Sequence, residues 1–198
     1  IRWYKNMIGD CSADVVSSTV PCSTKWMVGT VNSFYIGIIA TVIATALGTL
    51  AALGLSRPHM PYKGLIMAIL ISPMIVPLII TAAGMFFFYA RINLVYTFTG
   101  VILAHVALAT PFVVITVTAT LVGFDMNMVK AAQSLGAKPM RTFFKVIMPL
   151  ILPGIISGAL FAFITSFDEV VIVMFMASID QLTICLLYTS DAADEIAS

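Results

Sequence analysis

The chain has 198 residues, of which 61% are hydrophobic and 10% charged, with a mean hydropathy of +1.08 and a formal net charge of +1. These values lie outside the range of soluble globular domains and indicate an integral membrane protein, read as an all-α polytopic transmembrane helical bundle. No nucleic-acid partner is expected.

Residues 1–28 form a segment before the first long apolar run, and they carry Arg2, Lys5, Lys25, Cys11 and Cys22. An oxidising compartment would allow the two cysteines to pair, but their spacing is equally compatible with two free thiols. Charge-free runs then extend over Trp26 to Ser56, Gly64 to Ala90, Ile92 to Phe124 and Val146 to Phe167. Each exceeds the roughly 20 residues that a helix needs to cross about 30 Å of hydrocarbon. Four spans are predicted, at residues 29–55, 65–90, 97–122 and 150–177, within one membrane domain over 29–184. Kinks are expected at Pro73 and Pro77 in the second span, at Pro111 in the third and at Pro153, which opens the fourth. Gly154, Gly158 and Ala162 form a small-residue ridge, and Thr41, Thr45, Gly48 and Ala52 form another. Both suit close helix packing.

Orientation follows from the basic residues of the short loops. Arg57 and Lys63 lie in one loop, and Lys130, Lys138, Arg141 and Lys145 lie in another, 123–149, so both loops are predicted on the cytoplasmic side. The loop between them holds only Arg91. It is predicted outside, together with residues 1–28 and the stretch after about 178. An external start of this kind calls for a preceding membrane segment, so the chain is expected to be truncated. From Cys185 the sequence CLLYTSDAADE resembles one reading frame of a sequencing-library adapter. Residues 185–198 are therefore expected to be a non-native tail, the alternative being a native polar end.

The stretch 130–149, KAAQSLGAKPMRTFFKVIMP, is a charged island between two apolar runs. Met128, Ala131, Ala132 and Leu135 fall on one face at helical spacing. Gly136 is placed to cap that helix, and Pro139 sits where the first turn of a second helix, 139–147, accepts proline. On spacing alone the island suits either the groove of a partner protein or the membrane interface.

The island resembles the coupling loop of the inner-membrane permeases of binding-protein-dependent ABC importers, whose pattern is E-A-A, three residues, G, nine residues, then I-x-L-P. Here Lys130, Ala131 and Ala132 stand in the first triplet, Gly136 follows after three intervening residues, and Val146-Ile147-Met148-Pro149 closes the pattern after nine more. Val and Met keep the apolar character of their positions, whereas Lys130 reverses the charge of the family's Glu. The likeness extends from Arg2-Trp3-Tyr4 through Asn32-Ser33 and residues 48–57 to Ser166-Phe167-Asp168-Glu169, and it is greatest to the second permease of spermidine/putrescine importers. That family has six helices per permease, of which about four are expected here.

The resemblance implies a permease subunit of an ATP-driven importer in the bacterial inner membrane. It forms the path of a small-molecule substrate by alternating access and couples to a separate ATPase through the loop residues Lys130, Ala131, Ala132, Gly136 and Pro149. The implied partners are an ABC ATP-binding subunit, a second permease subunit, a periplasmic substrate-binding protein and membrane lipid. Polyamine is the expected substrate. A permease for an inorganic anion, iron or a sugar phosphate and a secondary transporter are the alternatives, although the inverted repeat usual in the latter is not seen. No G-x-x-x-x-G-K-[ST] phosphate loop occurs, so no cofactor is expected in this chain and ATP is expected on a partner subunit. No nucleophile, base and orienting group stand at a recognisable spacing, and no enzymatic chemistry is expected.

Acids within a span are costly unless they face water or a partner. Asp168 lies about 27 Å from Leu150 at 1.5 Å per residue, toward the outer leaflet. Asp168 and Glu169 are thus candidates for the translocation path or gate, weighed against a structural role in hydrogen bonding between helices. His105, six residues before Pro111, is a candidate proton-sensitive gate, weighed against a neutral ring bonded to a carbonyl that the proline frees. It has no Cys, Asp or Glu at ligand spacing, and no metal site is expected.

Overall fold

The computed structural model describes residues 25–57, 60–123 and 126–197; Cys11, Cys22 and Asp125 lie outside them. Its helices are α1 (Lys25–Leu55), α2 (Lys63–Ile75), α3 (Leu78–Arg91), α4 (Phe98–Val122), α5 (Met126–Ser134), α6 (Pro139–Thr142), α7 (Met148–Phe167), α8 (Val171–Met176) and α9 (Ile184–Ala197). A π-turn, Phe143–Ile147, joins α6 to α7, and a 3₁₀ turn, Ile179–Gln181, precedes α9. No strand occurs among the described residues. Three helical runs are long and apolar enough to cross a membrane: Lys25–Leu55, Phe98–Val122 and Pro139–Phe167. The broken pair α2 and α3 makes a fourth if it counts as one span.

The first and third spans agree with the sequence expectation to within a few residues, whereas the second and fourth require correction. Residues 65–90 are not one kinked helix. Val76 is extended, at φ −73 and ψ 137, and α2 ends there. A residue that precedes proline is pushed out of the helical region, here by Pro77, and Pro73 has already removed one donor a turn earlier. The fourth span ends at Phe167 and not at 177, because residues 168–170 leave the helix before α8 begins. Its start also differs: α7 begins at Met148 and contains Pro153, which therefore does not open it.

The chain divides into two compact units. The first contains residues 25–39, 78–105 and 167–197 of the described chain. Within it α3 packs against α8, and Ile172, Val173 and Met176 are fully buried. Polar side chains fasten the segment after α8. Asn32 Nδ2 donates to the carbonyls of Asp180 at 2.9 Å and Leu182 at 3.1 Å, and Ser33 Oγ accepts from Ile184 N at 2.9 Å. Gln181 Nε2 donates to the Tyr96 carbonyl at 2.9 Å, and Tyr96 N donates to the Met176 carbonyl at 3.0 Å. Side chains thus supply the partners that irregular backbone needs near an apolar medium.

The second unit contains residues 40–77 and 106–166. Its packing rests on missing side chains. A Cβ at Gly48 would stand 2.7 Å from Val113 Cβ, and one at Gly158 would stand 3.0 Å from Val113 Cα. Gly154 meets Thr120 and the Thr116 carbonyl in the same way. Gly48 of one small-residue ridge and Gly154 and Gly158 of the other therefore serve close contact with α4, where dispersion replaces the hydrophobic drive that lipid cannot supply. The hydroxyls of Thr110, Thr116 and Thr120 donate to carbonyls four residues back at 2.6, 3.0 and 2.9 Å, so their polarity is satisfied within α4. Phe112 and Phe161 stack with centroids 6.4 Å apart.

Candidate functional site

The elbow between α5 and α7 is built from its capping residues upward. Gly136 has φ +78, the left-handed region that a Cβ disfavours. Gly136 N donates to the Gln133 carbonyl at 2.9 Å, and Ala137 N donates to the Ala132 carbonyl at 3.1 Å. These two bonds are the 5→2 and 6→1 pair of a Schellman motif, with Gly136 at its left-handed position. Lys138 is extended, at φ −66 and ψ 152, as a residue before proline should be, and Pro139 opens α6. The chain therefore turns sharply at Gly136 and re-enters a helix three residues later.

The second arm departs from the plain helix expected over 139–147. It is α-helical for one turn and then widens into the π-turn, with Met148 N donating back to Phe143 O. Pro149 gives the reason. Its ring crowds the carbonyl four residues earlier and it offers no N–H, and a widened turn just before it relieves that crowding. The proline of the loop pattern thus shapes the join between the elbow and α7.

Lys130, Lys138, Arg141 and Lys145 are exposed, as are Ala131, Gly136 and Pro149, while Ala132 is half-buried. Thr142 is buried, and its backbone N–H closes the first turn of the second arm by donating to the Lys138 carbonyl at 3.0 Å. Leu135 is 88% exposed and Met140 70%, one on each side of the turn. The elbow therefore presents an apolar tip between cations. Sequence spacing located Leu135 on the apolar face of α5, but its place at the tip depends on the Schellman turn.

The other candidate residues lie elsewhere, in the first unit. Asp168 is exposed and Glu169 is buried, and both sit in the break after α7 and not on a continuous helix. Glu169 Oε1 accepts from Ile172 N at 2.9 Å, so this carboxylate caps the first turn of α8. The helix that carries Gly158, Ala162 and Thr165 stops at Phe167, so Glu169 does not continue their face. His105 is buried within α4. The polar clamp of Asn32, Ser33, Gln181 and Tyr96 does not follow from sequence spacing; its visible signal is a pair of adjacent polar residues, Asn32 and Ser33, inside an apolar run. Among the described residues no group of three or more His, Cys, Asp or Glu could hold a metal ion.

These features define a polytopic helical membrane protein with a capped helix-turn-helix elbow between two spans. The chain belongs to the binding-protein-dependent transport system inner membrane component family, which it matches over residues 22–194. It is accordingly a multi-pass component of the bacterial inner membrane, of a family of transport-system components and not of enzymes. It is 33% identical over 149 residues to the spermidine/putrescine transport system permease protein PotC of Haemophilus influenzae, covering 75% of this chain and 58% of that protein. It is 30% identical over 145 residues to PotC of Escherichia coli K12, covering 73% and 55%. The trehalose transport system permease protein SugB of Mycobacterium tuberculosis is 33% identical over 144 residues, covering 73% and 53%. The chain thus spans somewhat over half the length of these curated relatives. Among solved structures, a bacterial ABC transporter involved in import of the acidic polysaccharide alginate matches with a TM-score of 0.69 at 15% identity, over 87% of this chain and 60% of that one. That likeness shows a shared fold.

Proposed function

We propose that this chain is a translocation subunit of an ATP-driven polyamine importer, coupled to a separate ATP-binding subunit through the elbow at residues 130–149. The observation that carries the reading is the Schellman turn at Gly136, which projects Leu135 and Met140 from the membrane domain in a pattern whose Ala131, Ala132, Gly136 and Pro149 fall in register with a known coupling loop. A rigid elbow fixed to a span transmits movement of a docked partner to that span. ATP is bound by that partner, a second permease subunit completes the path, and a periplasmic binding protein delivers the substrate.

Polyamine is favoured as substrate by the PotC relatives' transport of spermidine and putrescine. Asp168, exposed at a break next to a span, agrees with it, because a carboxylate there can attract an amine. The test is uptake of labelled putrescine, spermidine and trehalose by vesicles containing the complete transporter. ATP-dependent uptake of the two amines is expected, without uptake of trehalose. Gly136→Val adds a β-branched side chain at positive φ at a cost of about 1–2 kcal/mol, enough to shift the docked population roughly tenfold. The variant should insert normally yet lose most of its uptake. Trehalose uptake without amine uptake would redirect the substrate assignment, and full transport by Gly136→Val would remove the coupling role from the elbow.

A further inference from the structure

The elbow is cationic throughout. Lys130, Lys138, Arg141 and Lys145 are all exposed, the stretch 126–149 contains no Asp or Glu, and none of the four forms an ion pair with another described residue. Between them stand Leu135, Met140 and Phe144, all exposed. An apolar centre with a charged rim is the composition of a docking surface and not of a solvated loop.

We propose that the cleft receiving this elbow is acidic at its rim and apolar at its floor, and that the ATP-binding subunit of this importer presents a carboxylate where Lys130 lands. The inference rests on the coupling role given above and adds the partner's charge. A cleft suited to the Glu of the family pattern would set a cation against Lys130, and like charges across an interface are costly. Charge reversal therefore acts as a pairing device, favouring this system's own ATPase over one adapted to an acidic loop. Anionic lipid headgroups would also neutralise lysines. The elbow is assigned to a protein because its most exposed apolar side chains, Leu135 and Met140, stand on either side of a sharp capped turn, a projection that a cleft accepts better than a flat bilayer surface does.

The experiment places the complete permease pair in lipid nanodiscs and measures the affinity of its own ATP-binding subunit for wild type, Lys130→Gln and Lys130→Glu across a salt series. Binding should weaken about threefold for Gln and about tenfold or more for Glu, with a shallower salt dependence for Gln. Equal or tighter binding by Lys130→Glu would overturn the proposal. The losses should be alike in nanodiscs of phosphatidylcholine alone and in those with added phosphatidylglycerol. A loss confined to the anionic lipid would assign Lys130 to headgroups and likewise overturn it. Gly136→Val separates the two levels of inference. If that variant binds normally, the docking reading itself fails. If it loses binding while Lys130→Glu does not, only the charge assignment fails.

Discussion

Glu169 shows how a single side chain can decide between path and scaffold. Its carboxylate is buried at 6% exposure and accepts from Ile172 N, satisfying one of the donors that the start of α8 leaves open. If capping is its task, the acceptor oxygen matters and the charge does not. Glu169→Gln keeps an oxygen at that place and should leave thermal stability in detergent nearly unchanged. Glu169→Ala strands a buried N–H and should cost about 1–3 kcal/mol, read as a lower unfolding temperature of the purified protein. A Gln variant as unstable as the Ala variant would show that charge is needed there and return Glu169 to the candidates for the substrate path. Asp168, its exposed neighbour, is free of any such structural duty in the described fold and is the better candidate for contact with a cation.

At the scale of elements, the small-residue ridges carry the packing. Gly158 of α7 lies against Val113 of α4, with a Cβ position 3.0 Å from the Val113 Cα and closer still to the Thr116 hydroxyl. Backbone cannot yield as a flexible side chain can, so Gly158→Val should push the helices apart and destabilise by about 1–3 kcal/mol. Gly54 has nothing within 4 Å of its Cβ position, and Gly54→Ala should be neutral or slightly stabilising. Thermal unfolding of the two variants in detergent checks both, and equal stabilities would refute the packing role. These contacts were legible as i, i+4 spacing of small residues, and the spans were legible as charge-free runs. The breaks were not, because hydropathy counts apolar atoms and is blind to backbone angles. Pro73 and Pro77 announced a disturbance that reads as a kink, yet Val76 was forced fully extended. By hydropathy Asp168 and Glu169 continue the fourth span, whereas the Glu169 side chain bonds the backbone three residues on and helps to start a new helix. The elbow was more legible, since Gly136 and Pro139 each have a specific conformational use. The π-turn before Pro149 was not, because its cause is a clash visible only once the arm is built onto α7.

For the molecule as a whole, the distribution of basic residues fixes an expected orientation that the fold makes testable. Lys130, Lys138, Arg141 and Lys145 surround the elbow, and Arg57 and Lys63 flank the turn between α1 and α2, while Arg91 stands alone before α4. Basic residues in short loops favour the cytoplasmic side, because moving them outward opposes the membrane potential at about 2.3 kcal/mol per charge per 100 mV. The elbow should therefore face the compartment where ATP is made, as a coupling role requires. Thr142 is buried and would report poorly on this, but Ser134 is exposed on α5 and Ile92 is exposed beyond α3. In the complete protein with Cys11, Cys22 and any further native cysteine replaced, Ser134→Cys should resist a membrane-impermeant thiol reagent in intact cells and react after permeabilisation. Ile92→Cys should react in intact cells. The opposite pattern would turn the elbow outward, away from any cytoplasmic ATPase, and the coupling role would fall with it.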